Sequence, residues 1–154
     1  MPKPIFIVCA QSVIEDKTTN NVSILNVLEK ISYIKRKPSD DQPVTQFNCN
    51  VLAVWRRETS DINVEFETEF SLILPSSGDI HSLASSPFTF PEDKELWRFN
   101  LMFSGMPPID GDGTLIFRHG LRKKAASEWL YQSYPVSVEA LKTENESAQK
   151  ATRK

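Results

Sequence analysis

The chain has 154 residues, 40% hydrophobic and 25% charged, a balance that suits one globular domain better than two. Folding at this length buries about two-thirds of the surface exposed by the extended chain, enough for a core without disulfides or a structural metal. With 18 basic and 20 acidic side chains the net charge is -2. That removes the general electrostatic argument for nucleic acid, though not for a local basic patch.

The first element expected is a strand over Ile5–Ile14, apolar on both faces as a central strand would be. Its apolar run, Ile5 to Ala10, is broken by Gln11 and Ser12. It is therefore too short for a secretory core, which needs about 7–15 residues. Nothing in the chain approaches the roughly 20 apolar residues of a membrane span. A cytoplasmic protein with no membrane partner is the expectation.

A turn follows at Glu15–Asn21, whose two asparagines tolerate left-handed backbone angles. Val22–Ile34 is ambiguous. Ile24, Leu25, Leu28 and Ile31 suit a helix, whereas Val22, Ile24, Asn26 and Leu28 alternate as a strand; a bent or irregular strand is the favoured reading. Lys35–Gln46, polar and with two prolines, reads as an exposed loop. Phe47–Arg57 is a strand with Phe47, Cys49, Val51, Ala53 and Trp55 on one face. In Val64–Leu74 the residues Val64, Phe66, Phe70, Leu72 and Leu74 oppose Glu65, Glu67 and Glu69, so one face lies in the core and the other in water.

Ile80–Phe90, rich in serine, reads as an edge strand. Leu96–Phe103 aligns Trp97, Phe99, Leu101 and Phe103 as a core face, and Met106–Gly113 (MPPIDGDG) reads as a hairpin connection. Thr114–His119 makes a short partner strand. Trp129–Val138 closes the domain with Leu130, Tyr134, Val136 and Val138 inward. The polar segment 142–154 reads as a disordered tail. Seven or eight strands without intervening helices predict an all-β fold, a single antiparallel β-sandwich over residues 1–141.

Candidate chemistry is sparse. A serine or cysteine nucleophile needs a base within hydrogen-bond reach. The only histidines are His81, in a serine-rich segment, and His119, in what reads as the basic turn RHGLRKK. Cys9 and Cys49 fall in apolar strands, where a thiol is ordinarily buried and inert. No cofactor is implied. Asp110 and Asp112 of the DGDG loop are the candidate metal ligands. Calcium gathers oxygen ligands of this kind from loops, although a hairpin turn alone explains both glycines.

Charge is unevenly distributed. Glu58 to Asp79 holds six acids and no lysine or arginine, whereas Arg118 to Lys124 holds Arg118, Arg122, Lys123 and Lys124 and no acid. These blocks either pair across strands or make a dipolar surface that orients a partner. Trp129 and Tyr131 alternate with the inward residues of the last strand. They are therefore exposed unless both faces of that strand are covered.

The segments PIFIVCAQSVIEDKTTNNVSILNVLEKIS, VLAVWRR and SEWLYQSYPVSVE together resemble a family of small bacterial domains of unknown function, over roughly residues 4–140. The resemblance implies a single sandwich domain in the bacterial cytoplasm and supplies no activity or site residues. The KRKPSDDQPVTQ loop and the tail depart from it. The functional expectation is a non-catalytic protein-interaction module, an adaptor or accessory subunit that binds another protein through Arg118, Arg122, Lys123, Lys124, Trp129 and Tyr131. A homo-oligomer is compatible with this reading, and nucleic acid is not the expected partner. The alternative is a sandwich that binds calcium, lipid or carbohydrate through loops at one end.

Overall fold

A computed structural model describes residues 1–34, 48–105 and 109–141. The Lys35–Gln46 loop, the start of the Met106–Gly113 turn and the 142–154 tail expected from sequence lie outside them. The described residues form nine strands: β1 (Lys3–Glu15), β2 (Val22–Val27), β3 (Lys30–Tyr33), β4 (Asn48–Arg56), β5 (Glu65–Ile73), β6 (Ile80–Thr89), β7 (Leu96–Ser104), β8 (Gly113–Lys123) and β9 (Leu130–Ala140). They make two sheets, ordered β2-β1-β4-β7 and β3-β9-β8-β5-β6, packed as the expected all-β sandwich.

Three details differ from expectation. The connection from β7 to β8, expected as a hairpin, instead crosses from one sheet to the other, and β8 pairs with β5 and β9 rather than with β7. The ambiguous Val22–Ile34 segment is two strands. Asn26 takes a positive φ of 55°, and the chain then leaves β1 and crosses to the second sheet. There β3 runs parallel to β9, the one parallel pair among the described strands. The third difference is the basic segment after His119, which is strand rather than turn. β8 continues to Lys123, paired with β5 and β9 on its two sides.

The core lies between the sheets and follows the predicted alternation. Cys49, Val51, Ala53 and Trp55 of β4 are no more than 1% exposed and meet Phe66, Phe70 and Leu72 of β5, Leu115, Phe117 and Leu121 of β8, and Val136 and Val138 of β9. Burying each such aliphatic or aromatic side chain contributes about 1.5–3 kcal/mol before entropy is counted. Sequence alternation did not anticipate the polar residues at inward positions. Thr68, His119 and Gln132 are buried there, and each finds a hydrogen-bond partner.

β1 pairs with β4 only from Lys3 to Ala10 and beyond that with β2 alone. The hairpin turn is closed by the Asp16 carboxylate, which accepts from Thr18 N at 2.8 Å and Thr19 Oγ1 at 2.7 Å. Arg98 of β7 reaches this turn and donates to Asn20 Oδ1 and O at 2.9 and 3.0 Å. The hairpin end therefore lies across the outer face of the four-stranded sheet. Ala10, Leu52 and Val54 on that face are buried although they stand outside the inter-sheet core.

Candidate functional site

The outer face of the five-stranded sheet brings together most of the residues singled out from sequence. Side chains on one face of adjacent strands stand about 5 Å apart, and the register places Glu67 beside Arg122, Ser71 beside Arg118 and Gly120 beside Tyr131. Arg122 donates to Glu67 Oε2 from Nε at 2.6 Å, and Lys124 Nζ lies 2.7 Å from Glu65 Oε2. Arg118 donates to Ser71 Oγ at 3.0 Å and sits 3.7 Å from Glu69. Glu65, Glu67 and Glu69 of the acidic block thus pair across strands with Lys124, Arg122 and Arg118 of the basic one. Hydrogen bonding to Glu65 holds the Lys124 ammonium above its ordinary pKa.

The two arginines are also fixed from the other side. The Arg118 guanidinium lies 3.9 Å from the centre of the Tyr131 ring, and that of Arg122 lies 4.6 Å from the Trp129 ring. The two rings are themselves near-parallel, at 17° and 5.7 Å. Gly120 makes this possible, because a Cβ there would meet Tyr131 Cε1 at 2.5 Å. Tyr131 stays 37% exposed, and Trp129 is half-buried. Burial raises the Tyr131 phenol above its ordinary pKa. The structure leaves one expected member out of this group. Lys123 is opposite Phe66, on the alternation that faces the core, because one residue along a strand reverses the side-chain direction.

Asp110 and Asp112 are separated by their partners. Asp110 accepts from the backbone N–H groups of Ser76 and Ser77 at 3.0 and 2.8 Å, which holds its carboxyl below the usual pKa. Asp112 Oδ1 accepts from Tyr33 Oη at 3.1 Å and Ala140 N at 2.8 Å. Each carboxylate ties a different pair of loops together. Among the described residues no three His, Cys, Asp or Glu side chains gather as a metal site. A Cβ at Gly111 would meet the Ser76 hydroxyl, a contact that rotation of that side chain can relieve.

His119 is wholly buried. Indole N–H only donates, so Trp55 Nε1, at 2.9 Å, makes His119 Nδ1 an acceptor. The ring proton then sits on Nε2 and is donated to Thr68 Oγ1 at 2.7 Å. Burial pushes the His119 pKa down to about 3, so the neutral ring joins the two sheets. His81 is exposed on β6. Cys9 and Cys49 are free and buried, and the hydrogen bond between the two thiols, with burial, raises the Cys9 pKa. Gln132, which sequence reasoning passed over, donates to the Val54 carbonyl at 3.0 Å; its only signal is a polar residue in an otherwise apolar face. No helix in the described residues is long and apolar enough to cross a membrane. No protein-family model matches the chain, and neither does any curated protein.

Proposed function

We propose that the chain is a non-catalytic protein-interaction module, a cytoplasmic adaptor or accessory subunit of a bacterial multi-protein assembly, which contacts its partner through the outer face of β5, β8 and β9. The observation that carries this reading is the ordered pair of stacks, Arg118 on Tyr131 and Arg122 on Trp129. Tryptophan, tyrosine and arginine are the residues that most often dominate binding energy. Here their side chains are already held by Glu67, Glu69 and Ser71, so docking costs less rotamer entropy. The resemblance to small bacterial domains supports the compartment and the single-domain organisation.

The test is affinity capture from the native host at low and moderately high salt, comparing the wild type with Arg122→Glu combined with Trp129→Ala. The wild type captures a stoichiometric partner that the double variant loses, while its urea midpoint changes little. Equal capture by both forms would reject this face, and no partner at either salt would reject the module.

A further inference from the structure

We propose that the free edge of β7, with the uncovered inner face of β6 beneath it, is a groove that accepts one extended segment of a partner protein as an added strand. Phe99 of β7 touches His119 of β8 at 4.6 Å between ring centres on one side and Phe88 of β6 at 4.7 Å on the other. β7 therefore lies over β5, and the five-stranded sheet extends one strand further at β6. Beyond Phe88, which Trp97 and Phe99 touch, much of that extension is open among the described residues. Ser86 and His81 pair with Thr68 and Leu72, which are 6% and 0% exposed, yet both are exposed themselves. Phe88, Ala84 and Leu83 along the same strand are only half-buried.

The backbone edge above this floor is open among the described residues. Edge strands in monomeric proteins are normally blunted by shortness, proline, charge or bulges. β3 has four residues, β2 is kinked at Asn26, and β6 carries Pro87 and a register shift. β7 has none of these features. It runs nine residues in unbroken register with β4 and without proline or glycine. Its one charge, Arg98, is drawn to Asn20. Its inward residues Trp97, Phe99, Leu101 and Phe103 remain half-buried, whereas their β4 neighbours are sealed.

Geometry and charge select the occupant. A second copy pairing its own β7 about a two-fold axis would bring its five-stranded sheet into the space held by β6, so only a single strand fits. β6 and β7 carry no acid, only His81 and Arg98. The segment that fits therefore alternates apolar residues, inward onto Phe88 and Trp97, with polar or acidic residues outward beside Arg98. Nine residues span about 31 Å. Contact along the edge and floor, about 15 Å deep in all, covers roughly 460 Å² per partner. That is the size of a weak, transient interface.

The probe is a phage-displayed random dodecapeptide library panned on the whole chain, with Ser86→Lys as the counter-variant, since a lysine at this exposed floor position blocks an apolar strand without touching the core. The expected result is weakly bound, alternating, proline-free peptides that lose at least tenfold in affinity on Ser86→Lys and slow amide exchange within residues 96–104. No selected peptide, binding that survives Ser86→Lys, or edge amides of β7 already protected in the dilute free chain would each overturn the proposal. Arg122→Glu with Trp129→Ala, on the outer face of the five-stranded sheet, leaves peptide binding unchanged, which separates this groove from the interaction face above.

Discussion

His119 shows how much a single residue's meaning depends on its surroundings. In an exposed basic turn it would titrate near its ordinary pKa and be available as a base. In β8 it bonds to Trp55 and Thr68 and packs against the rings of Phe70 and Phe99. Its pKa falls from the ordinary 6.5 to about 3 in the fold because burial penalises the charged form. The unfolded chain therefore binds a proton that the folded chain refuses. The resulting stability is fully present above pH 6.5 and is lost as pH falls toward 3, at up to about 1.4 kcal/mol per pH unit. Urea unfolding at pH 7, 5.5 and 4.5 should show this slope. His119→Gln, which can keep an acceptor toward Trp55 and a donor toward Thr68, should flatten it. An unchanged slope in the variant would assign the acid sensitivity to other groups.

Among the elements, the β7–β8 connection has the clearest architectural role. Asp110 caps the β5–β6 turn, while Asp112 joins the ends of β3 and β9. Both carboxylates thus replace backbone and side-chain contacts that a loop would otherwise leave to water. Asp112→Ala should lower Tm by about 2–4 °C through the loss of two hydrogen bonds. Millimolar calcium should leave the wild-type Tm unmoved, whereas a rise that Asp112→Ala abolishes would reinstate the ion. A sequence reading favours Asp-Gly-Asp-Gly as a turn but does not remove it as a ligand set, because the deciding partners, Ser76, Ser77, Tyr33 and Ala140, lie far along the chain.

Across the whole molecule, the two thiols report on the closure of the sandwich. Cys9 and Cys49 sit on the inner faces of adjacent strands and are 0% and 1% exposed, so a reagent reaches them only when the sheets part. Labelling by a disulfide reagent in native buffer should proceed at the rate of global opening, and both cysteines should react together. Prompt reaction of one thiol would show that β1 or β4 opens by itself. Since β4 is paired on both sides and β1 is covered in part by its own hairpin, the expected behaviour is a single cooperative unit.

The sequence alone determined the fold class and most of the core. A period of two with large apolar residues leaves few options, and Phe66, Phe70 and Leu72 opposite Glu65, Glu67 and Glu69 have only one sensible burial. By the same alternation it set Trp129 and Tyr131 opposite the inward residues of the last strand, without deciding whether that face is covered. Tertiary structure decided the rest, because each remaining question concerns residues distant along the chain. It paired the acidic stripe with the basic one, turned Lys123 away from Arg122, and closed His119 between Trp55 and Thr68. It also split Val22–Ile34 between two sheets and, among the described residues, left β7 with an open edge above β6. Alternation along one strand says which side of a sheet a residue occupies. It cannot say which strand lies beside it or what, if anything, lies across from it.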